Sequence, residues 1–121
     1  MIIDDDPDLP DIIQEILQQK GYHVTIFHDA ETAIANFNQQ KPNLILMDIM
    51  LPGLNGAEAI HEIRKDPANR NIPVIFLTGL ISNRDSDLKE AGIHAEGLVY
   101  KSLGKPFEVP ELLEMVKSLL E

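Results

Sequence analysis

Cysteine is absent from the chain, which excludes disulfides, thiol catalysis and thiolate-ligated metals and permits a reducing compartment. Long apolar runs are also missing. The apolar start is interrupted by Asp4, so neither a membrane span nor a signal-peptide pattern is present. Positive charge is scarce: 10 Lys and Arg stand against 20 Asp and Glu, a formal net charge of −10. That balance disfavours direct binding of nucleic acid or anionic lipid and favours cations or basic partner surfaces. Repeats, linkers and low-complexity segments are lacking too. The four histidines, His23, His28, His61 and His94, are scattered without ligand spacing and read as solvated or partly packed imidazoles.

What is present is one core's worth of apolar residues, 44% of 121, so residues 1–121 are expected to form a single domain. The stretch Leu44 to Gly56, LILMDIMLPGLNG, organises it. Four apolar residues end on a carboxylate, Asp48, and a Pro-Gly turn follows. A continuous apolar run without alternation is the pattern of a strand buried on both faces, as in a parallel sheet. In such sheets the chemistry lies beyond the carboxyl ends of the strands.

The other elements follow in order. Ile2 and Ile3 lead to Asp4-Asp5-Asp6, a short start for a core strand. Leu9, Ile12, Ile13, Ile16 and Leu17 repeat at helical spacing until Gly21. His23 to Phe27 reads as a second strand. Asp29 can cap a helix carrying Ala30, Ala33, Ile34 and Phe37. Ala57, Ile60 and Ile63 mark a third helix ending near Asp66-Pro67, and Val74 to Leu77 a fourth strand closing on Thr78. A weaker helix spans about Asp85 to Ala91. A fifth strand lies around Tyr100 to Leu103, and Val109 to Leu120 forms a last amphipathic helix. Strands alternating with helices predict an α/β fold with right-handed crossovers.

If the first and third strands are neighbours, the carboxylates of Asp4, Asp5 and Asp48 converge. Clustered carboxylates repel one another unless a cation compensates. Oxygen ligands without His or Cys suit a hard ion such as Mg²⁺. The fourth strand adds a hydroxyl, Thr78, and the fifth an ammonium, Lys105. A cation, a hydroxyl and an ammonium around one carboxylate suit phosphoryl oxygens, and the carboxylate can itself be the nucleophile. Asp6 reads better as a helix cap.

Asp4-Asp5, Asp48 with Pro52 and Gly56, Thr78, and Lys105-Pro106-Phe107 together resemble the receiver domain of two-component response regulators. The resemblance covers essentially the whole chain. It implies a flavodoxin-like (βα)5 doubly wound five-stranded parallel sheet in the order 2-1-3-4-5. It also implies a phosphoprotein, with Asp48 as phosphoacceptor from a histidine kinase or histidine phosphotransfer protein in the cytoplasm. Asp5, Asp48 and the Met50 carbonyl would ligate Mg²⁺, with Asp4 acting through water. Thr78 and Lys105 would bind the phosphoryl group and switch a surface toward a downstream protein or an output domain outside this chain. The family's aromatic switch residue, three before the lysine, is replaced by Ser102. Met50 and Leu80 take the two positions that tune dephosphorylation.

Three rivals are weaker on the residues. An aspartate-nucleophile phosphohydrolase wants an acid where Met50 stands. A mononucleotide binder wants Ser, Thr and Gly donors where this chain has DDDPD. A pseudo-receiver would lack the complete set of site residues.

Overall fold

The computed structural model describes residues 1–48, 56–78, 100–104 and 107–120. Five strands form one sheet: β1 (Ile2–Ile3), β2 (Ile26–Phe27), β3 (Ile45–Asp48), β4 (Val74–Thr78) and β5 (Tyr100–Gly104). Their order is β2-β1-β3-β4-β5, and every pairing is parallel. The expected doubly wound architecture is therefore the observed one. The chain order reverses between β1 and β3, where Ile2 pairs with Leu46 and Ile3 with Met47. That reversal opens a crevice at the carboxyl ends of these two strands.

Buried strands need apolar cover on both faces, and their side chains alternate between them. Ile3, Ile45, Met47, Val74 and Phe76 pack on one face with helices α2 (Ala30–Gln40) and α3 (Gly56–Ile63), through Ala33, Phe37, Ala59 and Ile63. Ile2, Leu46, Ile75, Leu77 and Leu103 pack on the other with α1 (Leu9–Gln19) and α4 (Val109–Leu120), through Ile13, Leu17, Leu112 and Val116. Among the described residues no helix is long and apolar enough to cross a membrane.

The helix ends follow the signals in the sequence. Asp29 caps α2, its carboxylate accepting from the Thr32 N–H at 2.7 Å, and hydrogen bonding from the Thr32 side chain, then from its backbone, lowers the pKa of Asp29. Gly21 has φ +91 just beyond α1, and the Tyr22 N–H folds back to the Leu17 carbonyl. Two details differ from the pattern. The third helix stops at Ile63, and a separate 3-10 turn, Pro67–Asn69, is capped by Asp66. The second strand is shorter than His23 to Phe27, because only Ile26 and Phe27 have a β1 residue beside them. The predicted helix over Asp85 to Ala91 lies outside the described residues.

Lys41 closes α2 in the left-handed region, at φ 45 and ψ 58. A side chain there costs roughly 1–2 kcal/mol, and the greater freedom of an unfolded glycine offsets about half of that. Lys41→Gly is therefore expected to stabilise the fold by roughly 0.5–1 kcal/mol in urea titration. A lower midpoint would contradict this account of the cap.

The Met1 amine donates to the Leu44 carbonyl at 3.0 Å, and burial lowers its pKa from 8.0 to about 6. Between those values the unfolded chain binds more protons than the folded one, so this group's contribution is full above pH 8. It falls as the pH drops from 8 to 6 and is constant below. Two pKa units correspond to roughly 2–3 kcal/mol. Chemical unfolding at pH 6 and pH 8 should show the difference in a chain with a free amine and not in one acetylated at Met1.

Candidate functional site

β1 delivers the first two acids. The Asp4 N–H continues the ladder to Phe27, donating to its carbonyl at 3.0 Å, so Asp4 is held as firmly as a strand residue. Its side chain is fully buried, and Oδ1 accepts from the Asp6 N–H at 3.0 Å. Asp5, the next residue, is exposed. Asp6 bonds to the start of α1: its Oδ1 accepts from the N–H groups of Asp8, which holds the N-cap position, and Leu9, the first helical residue, at 2.8 and 3.0 Å. Asp48 ends β3, half-buried, with its backbone in register with Leu77 of β4.

The β1–β3 register brings these ends together. One carboxylate oxygen from each of Asp4, Asp5 and Asp48 lies within 4.8 Å of the other two. The oxygen-only set, with one buried, one half-buried and one exposed member, fits a hard divalent cation that keeps part of its water. The arrangement distinguishes the acids: Asp4 is enclosed and tied to a backbone amide, whereas Asp5 faces solvent.

The expected members on the other strands stand as follows. The backbone of Thr78 ends β4, paired with Gly104 of β5, so Thr78 sits at the same carboxyl edge of the sheet as Asp48. Ser102 lies within β5, paired with Phe76. Met50, Leu80 and Lys105 lie outside the described residues. One neighbour was not anticipated from the sequence. His28 follows β2, and its Nδ1 donates to the Asp4 carbonyl at 3.0 Å, placing an imidazole behind the acid cluster. Its position directly after the last residue of β2 was the available signal.

A model of the family described as response regulator receiver domain matches residues 1–117. The chain belongs to the response regulator receiver domain family. It is a signalling domain of two-component systems, not a classical enzyme, and receiver domains of response regulators interact with histidine kinases. Among curated proteins, the DNA-binding dual master transcriptional regulator RpaA of Synechocystis is 37% identical over 120 residues. That match covers 99% of this chain and 48% of RpaA. This receiver spans about half the length of the curated relatives it matches. Among solved structures, the receiver domain of NtrX from Brucella abortus has a TM-score of 0.81 at 28% identity, covering 98% of this chain and 95% of that one. The signal receiver domain of a signal transduction histidine kinase from Syntrophus aciditrophicus also has a TM-score of 0.81 at 28% identity, with 98% and 86% covered.

The geometry separates the three acids experimentally. Asp5→Asn is expected to weaken Mg²⁺ binding more than Asp4→Asn does, by about tenfold or more. Calorimetric titration of both variants decides it, and equal losses would overturn the assignment.

Proposed function

We propose that residues 1–121 form one receiver domain whose Asp48 accepts a phosphoryl group from the phosphohistidine of a histidine kinase or histidine phosphotransfer protein. The observation that carries this reading is the convergence of Asp4, Asp5 and Asp48 within 4.8 Å at the carboxyl edge of the sheet. A carboxylate oxygen of Asp48 attacks phosphorus in line, the P–N bond to the donor imidazole breaks, and the released ring nitrogen takes a proton. The product is an aspartyl phosphate, and the chain assists only its own phosphorylation and dephosphorylation.

Mg²⁺ is the cation this donor set suits; Asp5, Asp48 and the Met50 carbonyl would hold it, and Asp4 would act through water. When bound it offsets the charge shared between the acids and the phosphoryl oxygens. The buried Asp4, fixed by the Asp6 N–H, orients the cluster from behind. Asp48 is held at the end of a four-residue strand buried among its neighbours, which limits the directions from which a donor can approach. The Thr78 hydroxyl and the Lys105 ammonium are assigned to the phosphoryl oxygens, a role supported by the family match and by the place of Thr78 on the edge of β4. Ser102 lacks the ring that would make an aromatic switch, so the output change runs through Thr78 and Lys105 toward a downstream protein or an attached output domain. A cytoplasmic setting belongs to the same reading through the family match, and the acidity of the chain disfavours direct contact of this domain with nucleic acid or an anionic membrane.

The defining experiment is incubation with Mg²⁺ and acetyl phosphate followed by intact-protein mass measurement. A single phosphoryl adduct is expected, absent from Asp48→Asn and lost when the cation is chelated. Turnover of acetyl phosphate without an adduct would instead favour a phosphohydrolase.

Signal lifetime follows from Met50 and Leu80, the positions two after Asp48 and two after Thr78. Neither side chain can hydrogen-bond the attacking water, and both can shield phosphorus from it. Self-dephosphorylation is therefore expected to be slow. Met50→Asn and Leu80→Glu should each shorten the phosphoryl half-life several-fold at fixed Mg²⁺, and unchanged decay in both would contradict the roles given to these two residues.

A further inference from the structure

β2 gives way to α2 almost at once. Phe27 ends the strand, and Asp29 is already the cap of the helix, extended at φ −145 and ψ 156. The Asp29 carboxylate accepts from the Thr32 N–H and its carbonyl from the Ala33 N–H. His28 stands between the two elements. Its side chain is exposed and adds to neither apolar layer, so packing does not account for where the ring lies.

The hydrogen-bond ladder does account for it. In a parallel pair, a residue facing the neighbouring strand donates to the residue before its partner and accepts from the residue after it. Ile2 donates to the Thr25 carbonyl and Asp4 to the Phe27 carbonyl, so the next rung would carry the Asp29 N–H to the Asp4 carbonyl. Asp29 is turned into the helix cap, and a side chain stands on that carbonyl: His28 Nδ1 lies 3.0 Å from the oxygen. A carbonyl oxygen can only accept, so Nδ1 carries the proton.

That oxygen belongs to the peptide group joining Asp4 to Asp5. The group is planar, so a bond that fixes the direction of the carbonyl also fixes the Asp5 N–H and the start of the Asp5 backbone. Asp4 needs this support less, because its N–H is held by Phe27 and its fully buried carboxylate by the Asp6 N–H. The Asp5 carboxylate is exposed and accepts no hydrogen bond among the described residues. Its place within 4.8 Å of the Asp4 and Asp48 oxygens is therefore set through its backbone.

We infer that His28 is a positioning residue for the cation site: bonded to the Asp4 carbonyl, its imidazole aims Asp5 and so sets the affinity for the ion. This rests on the reading of Asp5 as a Mg²⁺ ligand. His28 is not itself a ligand; it acts through one peptide plane. Without its bond, the Asp5 backbone would be ordered only as the ion binds, and that ordering would be subtracted from the affinity.

The test compares wild type, His28→Asn and His28→Phe, each alone and combined with Asp5→Asn. The Asn amide nitrogen can stand close to the place of Nδ1, whereas Phe keeps a ring without a donor. Because His28 is exposed, the metal-free proteins should unfold within about 2 °C of one another. In calorimetric titration at one fixed pH, His28→Phe should bind Mg²⁺ roughly three- to tenfold more weakly, and His28→Asn within about twofold of wild type. Combined with Asp5→Asn, the Phe substitution should weaken binding no further. In the metal-free protein, the order parameter of the Asp5 amide should fall in His28→Phe and hold in His28→Asn. If wild type binds Mg²⁺ and His28→Phe binds it as tightly, this inference is overturned and the cation site stands. Equal losses in Phe and Asn, or the same loss repeated with Asp5→Asn, overturn it too. A wild type that does not bind Mg²⁺ overturns the reading of the site itself, and this inference with it.

Discussion

Three carboxylates whose oxygens lie within 4.8 Å of one another are the constraint on which this structure turns. Near a protein surface, two unit charges 4 Å apart interact with about 4 kcal/mol at an effective dielectric of about 20. That is a large fraction of the roughly 5–15 kcal/mol by which domains are stable. The acids are nevertheless held together, because β1 and β3 are locked side by side by the pairing of Ile2 with Leu46 and Ile3 with Met47. A parallel sheet with both faces covered leaves the strands no freedom to splay, so the three acids stay together at their ends as oxygen donors for a cation.

The packing that enforces this arrangement is divided cleanly between the two faces. Alternate residues of β1, β3 and β4 feed one apolar layer under α2 and α3 and another under α1 and α4. The link between layers and site is Asp6, whose carboxylate holds the first turn of α1 while its own N–H holds Asp4. One residue thus couples the helix that covers the sheet to the acid at the back of the cluster. On the far side of β1, His28 grips the Asp4 carbonyl, so the backbone of this acid is fastened from β2 as well.

Much of this was legible in the residues. Asp48 could be placed because the apolar run before it has strand length and ends abruptly, and Asp6 and Asp29 could be tied to helix starts because each precedes a helical repeat. The order of the strands is not written in any single motif; it followed from the resemblance and is borne out by the observed pairing. The length of β2 was misread for a physical reason: His23 to Thr25 have strand composition, but a strand exists only where a neighbour supplies hydrogen bonds, and β1 reaches only as far as Ile26 and Phe27. Lys41 in the left-handed region was equally hidden, since that position ordinarily selects glycine or asparagine. The contact of His28 with Asp4 joins residues 24 apart, and the place of His28 directly after β2 becomes informative only once β2 is known to lie beside β1.

The central claim is that the carboxylate cluster is a divalent-cation site, and the most direct test is the free energy of unfolding measured against Mg²⁺ concentration. A cation that binds the folded chain alone stabilises it by RT ln(1 + [Mg²⁺]/Kd), which approaches about 1.4 kcal/mol for each tenfold increase once the site is filling. The account predicts that slope in the wild type, its displacement to at least roughly tenfold higher Mg²⁺ in Asp5→Asn, and little effect of a monovalent salt at matched ionic strength. A stability that ignores Mg²⁺, or that rises equally with sodium chloride, would contradict it.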